Sequence, residues 1–309
     1  MQITKVEVSV TNTRQNTENT RNLVAFMDLG ERDNDAYRNT NDNLPGPRIY
    51  NRFTPYQGYP DNANNTLDPK ILEREYPGVR DVSRVNSQLN SAGFEEAVEY
   101  VDLANARKLQ PSEFDYHPQL GYISLNTSLN QDEVLAVSYQ FTAGGETFQV
   151  GEFSTDGVSP PQNLVVKMLK STILSVNVPM WDLMMKNVYS LSAFQVNQED
   201  FQLEILYQDD EAGTPIPFIP EGELKDDLLL RVTELDRLNT NNDPYPDGFF
   251  DFVPGVTIKP NNGRIIFPVL EPFGKTIAKK LNDPELVEKY VFSELYDSTR
   301  FKSTKRNAT

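Results

Sequence analysis

The stretch SPPQNLVVKMLKSTILSVNVPMWDLMMKNVYSL, residues 159–191, is the most apolar segment of the chain and holds its only tryptophan. Its first half, Leu164 to Leu169 followed by Thr172, Ile173, Val176 and Val178, has the alternation and β-branching of a strand. From Pro179 onward, Trp181, Met184, Met185, Val188 and Tyr189 recur at the spacing of one helix face, with Asp182 and Lys186 opposite. Pro179 suits a first helical turn, and Asp182 then lies near the positive end of the dipole. The stretch therefore predicts a strand running into a short amphipathic helix. Its Trp and Met stripe reads as core, which predicts loss of folding when Met184 and Met185 become Ser. A docking face is the alternative, with Trp181 as a candidate partner-binding residue.

On the N-terminal side, Val6, Val8 and Val10 alternate with polar residues as in a half-buried strand, and Leu23 to Leu29 reads as a second strand. Residues 31–69 are rich in Asn, Asp, Pro and Gly, with Tyr37, Tyr50, Phe53, Tyr56 and Tyr59 set among them. A long irregular segment of this kind is read as an exposed loop, or as an aromatic-bearing loop lying on another surface; Tyr50, Phe53, Tyr56 and Tyr59 are candidate partner-binding residues. Pro77-Gly78 reads as a turn, Phe94 to Leu109 admits helix or strand, and Gly121 to Leu125 reads as a short strand. Val137, Tyr139 and Phe141 alternate into Ala143-Gly144-Gly145, followed by Phe148 and Val150, which predicts a hairpin with a glycine turn.

On the C-terminal side, Phe201, Leu203, Ile205 and Tyr207 alternate as a strand, and Pro215, Pro217 and Pro220 stiffen the loop after it. Leu228, Leu230 and Val232 predict a strand, and Ile265 to Leu270 another, restricted to an edge or bulge by Pro268. Asp283-Pro284 predicts a helix N-cap and first position, with the helix running to Tyr296. Phe114-Asp115-Tyr116-His117-Pro118 before Gly121-Tyr122-Ile123 resembles Phe250-Asp251-Phe252-Val253-Pro254 before Gly263-Arg264-Ile265, which suggests a duplicated module.

The whole reads as mainly β with a few helices, an α+β chain in which two β-rich modules flank the central strand-helix segment. The segments are 1–70, an N-terminal strand pair and long loop; 71–158, a first β-rich module; 159–193, the centre; 194–280, a second module; and 281–309, a helix and basic tail. The 309 residues carry a formal charge of -16, a field that opposes nucleic acid and anionic lipid as partners. No cysteine is present, so neither a disulfide framework nor a thiolate metal site is available. No apolar run approaches the ~18 residues of a membrane-spanning helix. Met1 leads straight into strand-like alternation without a signal sequence, so the expectation is a cytoplasmic protein or a piece of a longer chain.

Catalytic constellations are sparse. His117 is the one imidazole, between Tyr116 and Pro118, and reads as a structural or surface residue. Neither a phosphate-binding P-loop nor a dinucleotide fingerprint occurs. Paired carboxylates would suffice for a glycoside hydrolase, but 45 acidic residues give no basis for choosing a pair. The expectation is a non-enzyme. The richest polar cluster is LDRLNTNNDPYPDGFFDF, 235–252, where Asn239, Asn241, Asp243, Asp247 and Asp251 are candidate Ca²⁺ ligands. The spacing is not that of an EF-hand, and a turn-forming role for the same residues stands beside the metal reading.

Six strings, NLVAFMDLGE, YPGVRDVSRVNSQL, ARKLQPSEFDYHPQLGYISLN, VPMWDLMMKNVYSL, LDRLN with NDPYPDGFFDF, and GRIIFPVLEPFG, span almost the whole chain. Together they resemble the SprA/Sov family, the outer-membrane translocons of type IX secretion in Bacteroidetes, associated with gliding motility. The resemblance implies a fragment of a very long chain that forms a large β-barrel for protein export. It also implies no catalytic residues, and it implies as partners the rest of that chain, its accessory subunits and secreted cargo. The polar character here fits an extramembrane part without a membrane span, placed on the extracellular side in preference to the periplasmic one. The alternative is a stand-alone extracellular β-rich module that binds carbohydrate or protein.

Overall fold

The structure is a computed structural model that describes residues 1–13, 18–27, 29, 69–173, 179–199, 201–208, 213–292 and 294–297. The chain is mainly β with a few helices, and among the described residues no helix is long and apolar enough to cross a membrane. It divides into two compact units, Met1–Leu183 and Met184–Thr309.

The first unit is built on one sheet. Its strands are β1 (Gln2–Val10), β2 (Thr20–Phe26), β3 (Tyr100–Lys108), β6 (Leu135–Ala143), β7 (Glu146–Val150) and β8 (Leu164–Lys170); β4 (Phe114–His117) and β5 (Tyr122–Leu125) form a separate hairpin. The order is β1-β3-β2-β8-β6-β7, and β1 also pairs with β6, from Gln2↔Thr142 to Val10↔Leu135. That pairing closes five strands into a barrel-like ring, with β7 continuing along the edge of β6 beyond β8. Only β2 and β8 run parallel.

Alternation sorts side chains between the two faces of this sheet. Leu23 and Ala25 of β2, Leu103 and Ala106 of β3, and Leu164, Val166 and Met168 of β8 share one cluster with Ala136. Val24, Phe26 and Val165 face the other way, onto Tyr100 and Phe94 and onto helices α1 (Pro69–Glu75) and α2 (Val85–Ser91) through Leu72, Val85 and Leu89. The segment Phe94 to Leu109 thus resolves into a bridge near Glu96 and then β3. The expected hairpin forms as β6 and β7, and Gly144 and Gly145 both take positive φ, the requirement of a tight turn matched to strand twist.

One buried charge cluster ties the helical layer to the sheet. Arg80, at the end of a 3-10 turn (Pro77–Arg80), makes a two-pronged ion pair with Glu152, with Nη2 2.7 Å from Oε1, and also donates to the Asn163 carbonyl at 3.0 Å. Glu152 accepts the Val165 N–H at 2.8 Å, and buried Asn163 donates to the Val79 carbonyl at 3.1 Å. Removing one partner of a buried, hydrogen-bonded pair costs about 3–5 kcal/mol, because the other charge stays behind in low dielectric.

The second unit has a three-stranded sheet, β10 (Ile258–Lys259), β11 (Arg264–Ile266) and β9 (Val188–Ser190), in the order β10-β11-β9. Gly263 precedes β11 at φ +54, and a Cβ there would stand 2.2 Å from the Ala193 carbonyl oxygen, so both backbone conformation and space call for glycine. Two apolar clusters surround the sheet, one centred on Leu235, Ile258, Ile265 and Phe267, the other on Ile219, Leu229, Ile277 and Tyr290.

The central stretch differs from its expected form. β8 forms as predicted, and Val176 and Val178 lie outside the described residues, but Thr172 and Ile173 form an exposed bend. The helix from Pro179 is one 3-10 turn (Pro179–Leu183), and Val188 and Tyr189 belong to β9. The apolar residue anchored in the first unit's core is Met180, off the expected stripe. Trp181 and Met185 are half-buried, whereas Leu183 is 40% and Met184 49% exposed. The physical reason is β-sheet pairing: Val188–Ser190 finds Arg264–Ile266, and three ladder positions outweigh one more helical turn.

Three other expectations change. Leu228 to Val232 is a helical turn, α3 (Leu229–Val232), because Leu229 N–H turns back to the Pro217 carbonyl and all of Leu229, Leu230 and Val232 are buried at once. The helix with Asp283 as N-cap forms as α5 (Pro284–Tyr290), after α4 (Lys275–Leu281), with the Asp283 carboxylate accepting from Glu285 and Leu286. It stops at Tyr290 because Val291 is extended and Phe292 N–H bonds to the Phe273 carbonyl; a further turn, α6 (Glu294–Asp297), follows. The two similar strings also pair differently. Phe114–His117 pairs with Tyr122–Leu125, whereas Arg264–Ile266 pairs with Ile258–Lys259 inside the longer insertion.

The burial pattern reverses the prediction for the methionines. Met180→Ser is expected to cost about 2–4 kcal/mol by cavity and polar burial, and Met184→Ser about 0.5 kcal/mol or less. Urea unfolding of the two variants beside the parent chain measures both; equal losses would contradict the burial.

Candidate functional site

The loop 235–252 of the second unit is where the sequence placed its densest polar cluster, and the structure brings those residues together around a carboxylate not among them. Asp236 follows α3 and its side chain is fully buried. It accepts the N–H of Asp247 at 3.0 Å and of Gly248 at 3.1 Å, and Arg231 Nη2 lies 3.4 Å from its second oxygen. Asp251 accepts from Arg237 N–H at 2.7 Å and Leu238 N–H at 3.2 Å. Two buried or half-buried carboxylates thus close the base of the loop across 11 to 14 residues of sequence.

The tip is organised the same way. Asn239 Oδ1 accepts the N–H groups of Asn241 and Asp243, both at 2.9 Å. Asp247 Oδ1 accepts Phe249 N–H and Oδ2 accepts the Thr240 hydroxyl, both at 3.1 Å. Asn242 and Gly248 take positive φ at the bends. Of the five candidate Ca²⁺ ligands, Asn239, Asp247 and Asp251 therefore spend side-chain oxygens on loop N–H or O–H donors, while Asp243 accepts weakly from Asn239 Nδ2 at 3.4 Å. The side chain of Asn241 makes no bond in this network. Among the described residues, no group of three or more His, Cys, Asp or Glu side chains is gathered as a metal holder. Burial raises the Asp251 carboxyl above its ordinary range; the bonds from Arg237 and Leu238 act against this, and the nearby Asp236 and Asp247 charges add to it.

This bracing displays two rings. Tyr245 is 70% and Phe249 65% exposed, whereas Phe250 and Phe252 turn inward and meet Phe201 edge-on at 5.5 Å. Composition alone did not mark Tyr245 and Phe249; the signal was there in their position, between the turn formers of NDPYPDG and just ahead of an alternating aromatic pair. Of the partner candidates expected from sequence, Tyr50, Phe53, Tyr56 and Tyr59 lie outside the described residues, and Trp181 is half-buried in the first unit's 3-10 turn. His117 is structural in its contacts: it stacks on Tyr122 with centroids 5.5 Å apart and accepts Leu120 N–H at Nδ1.

Besides the Arg80–Glu152 cluster, the first unit holds polar groups at two further places. Inside one end of the ring, Glu7 pairs with Lys108 at 2.8 Å and accepts Ser154 N–H at 3.0 Å. Burial acts to raise the Glu7 pKa, but the bonds from Lys108 and Ser154 outweigh it and hold the carboxyl low. The cavity they line with Ser9, Arg21 and Ser138 measures ≈ 20 Å³, room for about one water molecule. On β3, Asp102 keeps one oxygen buried with no hydrogen-bond partner, and burial, with the Glu96 charge, pushes its carboxyl up to about 6.

No family model and no curated protein matches the chain.

Two measurements probe these carboxylates. Asp236→Ala leaves two loop N–H groups without an acceptor and is expected to cost about 2 kcal/mol, with hydrogen exchange at residues 239–249 accelerating more than in β1. Asp102 binds its proton more tightly folded than unfolded, so stability is lost as pH rises from its ordinary 3.8 through about 6. Asp102→Asn is expected to flatten that window and to stabilise the chain above it by on the order of 1 kcal/mol after allowance for screening, read from urea midpoints at pH 4, 5, 6 and 7.

Proposed function

We propose that this chain is a non-enzymatic, extramembrane structural and interaction portion of a SprA/Sov-like outer-membrane translocon of type IX secretion, facing the extracellular side. The observation that carries the reading is the spread of the resembling strings over both units. NLVAFMDLGE contains most of β2, ARKLQPSEFDYHPQLGYISLN runs from β3 through β5, VPMWDLMMKNVYSL joins the 3-10 turn to β9, and GRIIFPVLEPFG carries β11. A resemblance confined to one motif would speak for a borrowed module; this one recurs at separate places in both units.

The physical character of the loop 235–252 supports an interaction role. Exposed aromatic rings held on a hydrogen-bonded loop lose little conformational freedom on contact, which is what makes Tyr and Phe effective anchors in protein interfaces. In this reading the loop meets another part of the translocon chain, an accessory subunit or passing cargo.

The reading makes two demands. The reading frame around this segment is expected to encode a signal peptide and a many-stranded barrel, and their absence from the parent gene would end the proposal. In cells, Tyr245→Ser with Phe249→Ser is expected to lower secretion of type IX cargo several-fold while the urea midpoint of the isolated chain moves by less than about 0.5 kcal/mol. Unchanged secretion would remove the loop from the interaction surface.

A further inference from the structure

The segment Phe201 to Gln208, expected as a strand, alternates like one but among the described residues joins no sheet, its one bridge being Tyr207 to Ile216. Its burial alternates with period two: Phe201, Leu203, Ile205 and Tyr207 are half-buried on the second unit's two apolar clusters, and Gln202, Glu204, Leu206 and Gln208 are exposed. Only its ends are bonded along the backbone. Phe201 N–H reaches the Gln198 carbonyl, and Tyr207 exchanges two bonds with Ile216, at 2.7 and 2.8 Å. Among the described residues, no backbone N–H or carbonyl from Gln202 to Leu206 has a protein partner, and the one side-chain bond joins Gln202 to Glu204.

The returning chain shows why. A hairpin that starts with the Tyr207–Ile216 pair would continue through Ile205 opposite Phe218. Instead the Pro217 carbonyl accepts Leu229 N–H and Phe218 bridges to Leu228, so the return strand is drawn off towards α3. Pro217 and Pro220, which lack an N–H, weaken the alternative ladder further. The strand stays seated through its inward side chains while its polar edges remain open. Native edge strands are usually shortened, bulged or covered, and an open one is a template for strand addition.

Charge narrows the occupant. Glu199 and Glu204 are exposed on this segment, and the sequence around it, NQEDFQLEILYQDDE, holds six carboxylates and no cation. We propose that residues 202–206 bind an extended segment of a protein partner by strand addition, the segment carrying Lys or Arg at its ends and an apolar residue to meet Leu206. Backbone hydrogen bonds supply the affinity and the acidic flanks select the sequence. This inference stands on the second unit alone and does not rest on the translocon reading.

The test uses the full chain and a synthetic peptide, Lys-Lys-Thr-Val-Thr-Val-Thr-Lys-Lys, with a twin N-methylated at alternate backbone amides. In the free chain, amides 202–206 are expected to exchange with solvent much faster than those of β11, and to slow at least about tenfold when peptide is added. N-methylation is expected to weaken binding by about tenfold or more, and Glu204→Lys by about fivefold. Leu206→Pro removes an N–H that has no bond among the described residues and is expected to keep the fold while weakening the peptide; if circular dichroism shows that it unfolds, Glu204→Lys and the methylated peptide still decide. The proposal is overturned by slow exchange at 202–206 in the free chain, by equal binding of the two peptides, or by concentration-dependent self-pairing that protects these amides without peptide.

Discussion

A folded chain must find a partner for nearly every buried backbone N–H and carbonyl, and the pairing of β1 with β6 is where the first unit meets that demand. With it, five strands close into a ring, joined between β1 and β3 at Ser9↔Lys108 and Val10↔Arg107. Everything else in that unit follows from closure. One sheet face becomes an interior in which Ala25, Ala106 and Ala136 share a cluster with Leu164 and Met168, and the other face receives the helical layer. The Arg80–Glu152 pair and Asn163 then hold that layer where β8 begins.

The second unit answers the same demand by other means. Its sheet is small, so side-chain carboxylates and amides take over as acceptors for loop N–H groups: Asp236, Asp251, Asn239 and Asp247 in one loop, Asp283 at the start of α5, and Asn187 beside Phe267. This economy of polar oxygens explains why a segment that looked like a cation site is first of all a scaffold. It also explains the unmatched stretch at 202–206, where neither solution is applied.

Local signals were legible in the sequence and long-range ones were not. Period-two alternation found β1, β2, β5, β8 and the β6–β7 hairpin, and Asp283-Pro284 found a helix start, because each signal is decided by neighbours in sequence. The stripe from Pro179 misled because five apolar residues at helical spacing also fit a 3-10 turn followed by a strand, and the choice lay with Arg264–Ile266, about 75 residues away. Leu228 to Val232 alternates, yet Leu229, Leu230 and Val232 are all buried in the turn α3, with Arg231 left exposed. In the loop 235–252 the turn-forming role was legible in the residue types, and the part of Asp236 was not, since it stands out only once its depth is known. The exposed Tyr245 and Phe249 were hidden for the opposite reason: aromatic residues in a sequence read as core.

The ring of the first unit carries a consequence for how the chain is made. β1 waits for β6, with Ile3 opposite Phe141, and β2 waits for β8, with Leu23 opposite Leu164. A ribosome delivering this polypeptide releases β1 and β2 well before β6 and β8 exist, so over that interval both strands stay uncovered, β-prone ribbon. Topology of this kind folds more slowly than one built on local contacts and leaves the newborn segment dependent on whatever shields it until Lys170 has emerged.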